Sequence, residues 1–194
     1  MTKTFILGIN GSPNKNGLTA LLLKQCLSQS EIEGAKTKLI HLIDFEKEFF
    51  KGDLKKIDSA IRPLIDLVLK SNWFIISTPV YWMNMSALVK NFLDQLTPLE
   101  ENNFKLEGKV AGFIVTEDEG GGWKTALDLA GPLAHMGVIF PPYSFIFYNR
   151  KMAGKSEHNW MEKDVKLLGR NIVKMCELLP QQDKYFWGYK KLKP

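Results

Sequence analysis

Short apolar runs alternate with longer helical patterns along this chain of 194 residues, and that alternation constrains its fold more than any other feature. Five runs predict β-strands, over residues 4–10, 37–43, 73–77, 109–116 and 138–148. Five stretches with helical spacing of apolar residues predict helices, over residues 17–31, 54–69, 85–96, 123–136 and 157–179. Pro63 favours a kink or a later start in the second helix.

The predicted strands are apolar on both faces, as strands are when helices cover both sides of a parallel sheet. The sequence therefore predicts an α/β protein with a three-layer, doubly wound fold. Five parallel strands in the order 2-1-3-4-5 fit this pattern, and a single domain over residues 1–194 is expected. Ligands of such sheets bind outside the carboxyl ends of the strands, where the strand order reverses. The loops after the first, third and fourth strands are therefore the candidate site.

The loop after the first strand is predicted to bind a phosphate group. Residues 11–19 have the sequence GSPNKNGLT and lead into a helix, so backbone N–H groups and the positive helix N-terminus converge there. Ser12 and Thr19 are expected to donate hydroxyl hydrogen bonds, and Asn16 to donate or to cap the helix. The loop does not match the nucleotide-triphosphatase motif GxxxxGK[ST], because Leu18 stands where that motif has lysine. It does not form the dinucleotide-binding motif GxGxxG either. A phosphate monoester fits this loop better than a di- or triphosphate.

The loop after the third strand is predicted to be a platform for a flat ring. Within residues 77–86, Tyr81 and Trp82 lie side by side, next to two methionines and after the rigid Pro79. Such side chains are costly to expose, so a planar ligand would explain them. Packing against a neighbouring helix or subunit is the alternative. Asn84 is the predicted cap of the helix that follows.

The loop after the fourth strand carries three consecutive glycines, residues 120–122, behind the acidic residues 117–119. Glycines allow the backbone to approach a ligand closely. The carboxylates would repel a phosphate, so we expect this loop to face the ring or its sugar chain. A flexible loop that ends at a helix terminus is the alternative.

Composition argues against several other classes of function. The formal net charge is +5, concentrated at residues 51–56 and 184–193, but no nucleic-acid module accompanies it and no nucleic-acid partner is predicted. No apolar stretch approaches the roughly 20 residues of a membrane span, and no signal peptide is visible, so a cytoplasmic location without membrane contact is expected. Cys26 and Cys176 predict free thiols rather than a metal site.

No acid–base catalyst is predicted. The three histidines, His41, His135 and His158, are isolated from one another in the sequence, and no Ser-His-Asp or Cys-His arrangement is apparent. His41 is expected within or just after the second strand.

Three segments together resemble the NADPH-dependent FMN reductase family of the flavodoxin-like superfamily. They are residues 11–19, residues 78–96 (TPVYWMNMSALVKNFLDQL) and the glycine run 120–122. The second segment is the most specific, and the resemblance extends to about residue 136. It implies a flavodoxin-like fold that binds FMN, with NADPH or NADH as the electron donor.

The resemblance also implies which residues hold the cofactor. The first segment would bind the FMN phosphate. The other two segments, together with Thr116, would border the ring. The residues assigned in this way are Ser12, Asn14, Asn16, Gly17, Leu18, Thr19, Pro79, Val80, Tyr81, Trp82, Met83, Thr116, Gly120, Gly121 and Gly122. Asn14 stands where relatives often carry arginine, which removes a cation from the phosphate end. Some relatives bind an iron–sulfur cluster through cysteines ahead of the second helix, but residues 44–58 contain none, so no cluster is predicted.

The predicted function is an FMN-dependent NAD(P)H oxidoreductase. It would pass electrons to a small acceptor such as a quinone, a free flavin, a nitro or azo compound or a metal ion, and the flavin would supply the chemistry. A flavodoxin-type electron carrier and a cofactor-free regulator on the same fold are the alternatives. Such proteins are commonly homodimers, and the apolar residues Trp82, Met83 and Met85 predict a homodimer with residues 81–85 at or near the interface. The acceptor and the choice between NADH and NADPH stay open.

Overall fold

The computed structural model describes residues 4–46, 48–101, 104–151 and 155–179. The basic segment 184–193 lies outside the described residues, and so does the side chain of His158. The six strands are β1 (Phe5–Asn10), β2 (Lys36–His41), β3 (Trp73–Tyr81), β4 (Asn84–Met85), β5 (Val110–Glu117) and β6 (Phe145–Asn149). The six helices are α1 (Leu18–Ile32), α2 (Arg62–Lys70), α3 (Ala87–Gln95), α4 (Thr97–Glu101), α5 (Gly122–His135) and α6 (Lys155–Leu178).

Five parallel strands form the sheet in the order β2-β1-β3-β5-β6. This order confirms the predicted 2-1-3-4-5 arrangement, because β5 and β6 are the predicted fourth and fifth strands. The additional strand β4 is only two residues long and pairs antiparallel with the end of β3. The chain reverses direction across the sheet between β1 and β3, so ligands are expected beside their carboxyl ends.

Alternating side chains of the central strands build two cores, one on each face of the sheet. Leu7, Phe74 and Phe113 pack with α2, α3 and α5. Ile6 and Ile75 pack with α1 and α6 on the other face. The three-layer arrangement predicted from strands that are apolar on both faces is therefore confirmed.

The helices α1 and α6 approach each other closely at a glycine. A Cβ atom on Gly169 would lie 2.4 Å from the carbonyl oxygen of Cys26. The buried Ser30 Oγ donates hydrogen bonds to the carbonyl oxygens of Cys26 and Gly169, at 3.1 and 3.0 Å. Of the helices in the described part of the chain, none combines the length and apolar character that crossing a bilayer requires.

Several predicted boundaries differ from the structure, and so does one predicted cap. The fifth strand was predicted over residues 138–148, but β6 covers only Phe145–Asn149. The second helix was predicted from residue 54, but α2 begins at Arg62 with Pro63 in its first turn, where a missing N–H costs nothing. β3 continues through Tyr81, because β4 folds back and pairs with the residues predicted as loop. The prediction that Asn84 caps α3 is wrong: Ser86 is the cap, and its Oγ accepts from the N–H of Val89 at 3.3 Å.

Candidate functional site

The three candidate loops meet at the carboxyl edge of β1, β3 and β5. They are the β1–α1 loop (residues 11–17), the β3–β4 hairpin (residues 79–85) and the β5–α5 loop (residues 118–121). The N–H of Gly11 donates to the carbonyl of Ser77 at 2.7 Å, and Ser86 Oγ donates to the carbonyl of Gly11 at 2.7 Å. A Cβ atom on Gly11 would lie 2.1 Å from Val89 Cγ2, so glycine is required there. The first loop is thus held against β3 and α3.

Inside the β1–α1 loop, the predicted phosphate ligands make local hydrogen bonds. Ser12 Oγ accepts from the N–H of Asn14 at 3.1 Å, and Asn14 Oδ1 accepts from the N–H of Asn16 at 3.0 Å. The predicted cap Asn16 does not cap α1. Its N-cap is Gly17 in extended conformation, with no side-chain hydrogen bond. The first N–H groups of a helix lack intrahelical partners, so this uncapped N-terminus suits an anion.

Thr19 links the first loop region to the end of β5. It is buried in the first turn of α1, and its hydroxyl lies 2.7 Å from the hydroxyl of Thr116. The sequence assigned these two threonines to opposite ends of the cofactor, whereas the structure brings them together. Only the hydroxyl that accepts this bond keeps its own O–H free, so Thr19 can donate to a neighbouring group when Thr116 is the donor within the pair.

The β3–β4 hairpin holds an aromatic residue in strained backbone. Val80 pairs with Met85 and Tyr81 with Asn84, which leaves a two-residue turn of Trp82 and Met83. Their φ angles are +48° and +62°, in the left-handed region that such turns usually fill with Asn-Gly. Trp82 is 100% exposed. Strain together with exposure of a large apolar side chain makes this turn a candidate contact surface, for a ligand or for a second subunit.

The β5–α5 loop packs directly against this hairpin. Gly120 and Gly121 have φ angles of +131° and +92°, and a Cβ atom on Gly121 would lie 3.0 Å from Met83 Cα and 3.2 Å from Val80 Cγ1. Gly121 therefore serves the contact between two candidate loops, whereas no atom lies within 4 Å of the Cβ position of Gly120. Glu117 Oε2 accepts from the N–H of Gly122 at 2.7 Å and so caps the positive end of α5.

Two basic residues after β6 neutralise the acidic residues of this loop. Arg150 makes a two-pronged hydrogen bond to Asp118, at 2.6 and 2.5 Å, and Lys151 pairs with Glu119. The guanidinium holds the pKa of the Asp118 carboxyl below its ordinary value. The same pair raises the pKa of Arg150, with a smaller contribution from Tyr81. Sequence analysis missed both basic residues, because they lie about 30 positions from the carboxylates.

A groove lies between α3 and α5, next to the hairpin. It encloses about 760 Å³. It is lined by the apolar side chains of Met85, Leu93 and Leu127 and by charged side chains of both signs. Among the charged residues, Lys90 pairs with Asp94 at 2.6 Å and His135 lies 3.0 Å from Glu100. The groove is large enough for a ligand or for the side chains of a second polypeptide.

The parallel sheet in the order β2-β1-β3-β5-β6, covered by helices on both faces, defines a flavodoxin-like fold, and the loops at its carboxyl edge form the candidate site. The family description NADPH-dependent FMN reductase matches residues 4–151. The chain belongs to that family, and as a member it is a flavin-dependent oxidoreductase.

Several individual proteins are similar to the chain. An iron–sulfur flavoprotein of Methanocaldococcus jannaschii is 32% identical over 190 residues, covering 90% of this chain and 98% of the relative. An iron–sulfur flavoprotein of Archaeoglobus fulgidus is 32% identical over 118 residues, but that match covers 57% of this chain and only 58% of the relative.

Solved structures show the same fold. The apo form of an NADH:FMN oxidoreductase, EMOB, has a TM-score of 0.66 at 26% identity and covers 86% of this chain and 89% of its own. RosB, solved with the bound intermediate 8-demethyl-8-formylriboflavin-5′-phosphate, has a TM-score of 0.75 at 18% identity and covers 92% and 81%.

The donor atoms of this chain do not fit an iron–sulfur cluster of the kind that the relatives' names mention. Such clusters are held by four cysteine thiolates, and the chain has two cysteines. Burial raises the pKa of the Cys26 thiol, and it raises that of Cys176 to about 12, so both thiols stay protonated. The described residues contain no group of three or more His, Cys, Asp or Glu placed to hold a metal ion. Absence of a cluster remains a prediction.

The segment ahead of α2 is instead anchored on α3 by amide side chains. Asn91 Oδ1 accepts from the N–H of Phe50 at 2.9 Å, and Asn91 Nδ2 donates to the carbonyl of Glu48 at 2.8 Å. Gln95 Nε2 donates to the same carbonyl at 3.0 Å. These bonds hold residues 48–50 against α3. They lie within the segment 44–58, which contains no cysteine.

Proposed function

We propose that this protein binds FMN across the three loops and uses it to oxidise NADH or NADPH. The observation that carries the proposal is the placing of an uncapped helix N-terminus and an exposed aromatic hairpin at one edge of the sheet. FMN has one phosphate and one flat ring, so it matches both features. Family membership supports the same cofactor.

The phosphate end is assigned to the β1–α1 loop and the first turn of α1. The N–H groups there and the positive helix end would stabilise a dianion, and Ser12 would add a hydroxyl. Asn14, Asn16, Gly17 and Leu18 shape this end, and Thr19 is oriented by Thr116. No basic side chain needs to reach the phosphate for this arrangement to work.

The ring end is assigned to the β3–β4 hairpin and the β5–α5 loop. Pro79 and Val80 fix the approach to the turn, while Tyr81, Trp82 and Met83 offer aromatic and sulfur surface. Gly120 leaves room for the ring edge, because no atom lies within 4 Å of its Cβ position. Gly121 and Gly122 instead allow the loop to pack closely against the hairpin and against Glu117. Bound FMN would supply the electron-transfer chemistry, and the protein's part is to orient the ring and to shield it from water.

Removal of two hydroxyls tests the phosphate assignment. With Ser12→Ala and Thr19→Ala combined, we expect FMN affinity to fall at least tenfold and riboflavin affinity to change little. The reason is that each charge-assisted hydrogen bond is worth about 1.5–3 kcal/mol. Titration calorimetry with both ligands gives the comparison. Ser71→Ala is the control, since Ser71 is equally buried at the opposite edge of the sheet. Equal losses for FMN and riboflavin would contradict the assignment.

The electron acceptor is proposed to be a small molecule. The shape of the pocket does not identify its chemical class.

A flavodoxin-type electron carrier is the second candidate function. Carriers dock through an acidic face, and the neutralisation of Asp118 and Glu119 by basic side chains argues against this candidate. Purified protein that is yellow and rapidly oxidises NADH or NADPH would support the enzyme. A yellow protein that oxidises neither would support the carrier, and a colourless one that takes up no FMN would support a regulator.

We also propose that the protein acts as a homodimer through the face that carries the hairpin and the α3–α5 groove. The groove is lined by apolar side chains and by charged side chains of both signs, so the same surface on a second copy can be complementary to it. The hairpin beside it exposes Trp82 and Met83, which a partner would help to cover.

A further inference from the structure

Asn10 makes contacts that the proposed function does not yet use. It is the last residue of β1, and its side chain is fully buried. Its Oδ1 accepts from the N–H of Ser12, and its Nδ2 donates to the carbonyl of Ser12, both at 3.2 Å. A backbone N–H can only donate and a backbone carbonyl can only accept, so these two bonds fix which end of the carboxamide is oxygen.

That orientation determines the protonation state of His41 at the end of β2. Asn10 Nδ2 lies 2.9 Å from His41 Nδ1. An amide nitrogen donates and does not accept, so Nδ1 must accept, and the imidazole is neutral with its proton on Nε2. A proton on Nδ1 would place two donors face to face. Either the bond to His41 would then break, or the carboxamide would turn over and both bonds to Ser12 would break.

The charged groups around His41 favour this neutral form. Burial lowers the pKa of His41, Lys15 and Lys24 lower it further, and Asp44 acts in the opposite direction. Lys15 in the β1–α1 loop pairs with Asp44 after β2, which balances part of both effects. Because the pKa is lowered in the folded protein, the neutral ring contributes its full stabilisation of the fold at pH values above the ordinary histidine pKa. That stabilisation is lost as the pH falls through the lowered pKa.

We propose that Asn10 and His41 are a positioning pair for the phosphate end of the site. The neutral imidazole holds the Asn10 carboxamide, and the carboxamide holds the backbone of Ser12 in the conformation that receives the phosphate. This inference rests on the proposed function, because it concerns the loop assigned to FMN. It extends that function to a buried asparagine and a histidine on neighbouring strands, which act through the backbone of Ser12.

A pH titration of two proteins tests the pair. The dissociation constants of FMN and riboflavin are measured from pH 8 to pH 5 for the wild type and for His41→Gln. Glutamine keeps an acceptor oxygen for Asn10 but does not titrate. The phosphate of FMN has its own ionisation near pH 6, which affects both proteins equally, so only the difference between them reports on His41.

We expect the two proteins to bind FMN within about threefold of each other at pH 8. At pH 5 the wild type should lose more affinity than the variant. A histidine with the ordinary pKa of about 6.5 would produce a further loss of roughly 30-fold at pH 5. Because the pKa of His41 is lowered, the loss should be smaller than that but still measurable. Riboflavin should show no such difference, because it has no phosphate.

A second measurement uses the wild type alone. The ¹⁵N chemical shifts of the His41 ring identify the protonated nitrogen, and we expect a proton on Nε2 at pH 8. A proton on Nδ1 overturns the pair, and so do parallel FMN profiles for the wild type and His41→Gln while FMN still binds more tightly than riboflavin. Equal affinity for FMN and riboflavin at pH 8 overturns the proposed phosphate site instead, so the two failures are distinguishable.

Discussion

At the scale of single residues, Gly121 connects two loops that the sequence treats as separate. Its φ angle of +92° is costly for any other residue, and an added Cβ would press on the Met83 backbone at 3.0 Å. Gly34 has a similar φ of +95° but open space around its Cβ position, at the far end of α1. A substitution at Gly34 therefore tests backbone strain alone, whereas a substitution at Gly121 tests strain together with disruption of the loop contact.

Alanine at Gly121 is expected to weaken flavin binding, whereas alanine at Gly34 is not. Both changes should lower the free energy of unfolding by about 1–2 kcal/mol, because both force a left-handed alanine. Only Gly121→Ala should also displace the hairpin, and we expect FMN and riboflavin to lose affinity together by about tenfold or more. Urea unfolding and fluorescence titration give the two quantities. Unchanged flavin affinity in Gly121→Ala would show that the loop contact does not support the ring.

Trp82 gives a direct optical test of the ring assignment. A flavin beside an indole quenches its emission, so FMN should quench the wild type, and Trp82→Phe should lose the largest share of that quenching. Trp160→Phe is the matched control, because Trp160 is also exposed but belongs to α6 on the other face of the sheet. Tryptophan emission during FMN titration is the measurement. Equal quenching in both variants would remove Trp82 from the site.

At the scale of elements, the β3–β4 hairpin combines poor turn chemistry with an exposed aromatic residue. Two-residue turns of this kind favour Asn-Gly, which accepts positive φ angles at little cost. The Trp82-Met83 turn lowers stability because both residues have positive φ angles. A role of their side chains in binding would explain why these residues occupy the turn.

Replacing the turn with Trp82→Asn and Met83→Gly should therefore raise stability and remove function. We expect the free energy of unfolding to rise by about 1 kcal/mol or more, because two strained residues are relieved. FMN and riboflavin affinity should both fall, since the ring surface is lost while the phosphate loop stays intact. The same unfolding and titration experiments measure both effects. A variant that is no more stable than the wild type would show that the turn is not strained.

The order and burial of the elements are predictable here because they follow from periodicity. The five parallel strands and their carboxyl-edge loops come from apolar runs and turn residues, which are local signals. β4 was missed because two residues have no periodicity, and the helix predicted from residue 54 begins at Arg62 although Ile57 and Ile61 keep helical spacing.

Contacts between side chains in the site were not predictable from local pattern. Thr19 and Thr116 are 97 positions apart, and Asn10 and His41 are 31 apart. Hydroxyls and amides in a loop indicate hydrogen bonding, but the sequence does not say whether they face a ligand or each other. Ser12 was expected to donate to a phosphate and Asn14 to lie beside it. The structure adds what the sequence did not show, that both side chains also accept hydrogen bonds from the loop's own backbone.

At the scale of the whole molecule, the two faces of the sheet differ in how much apolar surface they leave exposed near the site. Leu127 on α5 is 61% exposed at the α3–α5 groove, and Trp82 and Met83 stand beside it on the hairpin. On the opposite face, α1 exposes Leu21 at 49%. A partner that covers the first face would bury the larger patch and restrict access of water to the ring.

We therefore expect a homodimer at micromolar concentration, with a sedimenting mass near twice the 22.1 kDa of one chain. Leu127→Asp should convert it to a monomer, because a twofold interface uses the same surface twice and would bury both new carboxylates. Leu21→Asp is the matched control on the other face and should leave the dimer intact. Sedimentation velocity of the three proteins measures this. A wild-type species near 22.1 kDa that holds FMN and still oxidises NAD(P)H would refute the dimer, while the flavin site would stand.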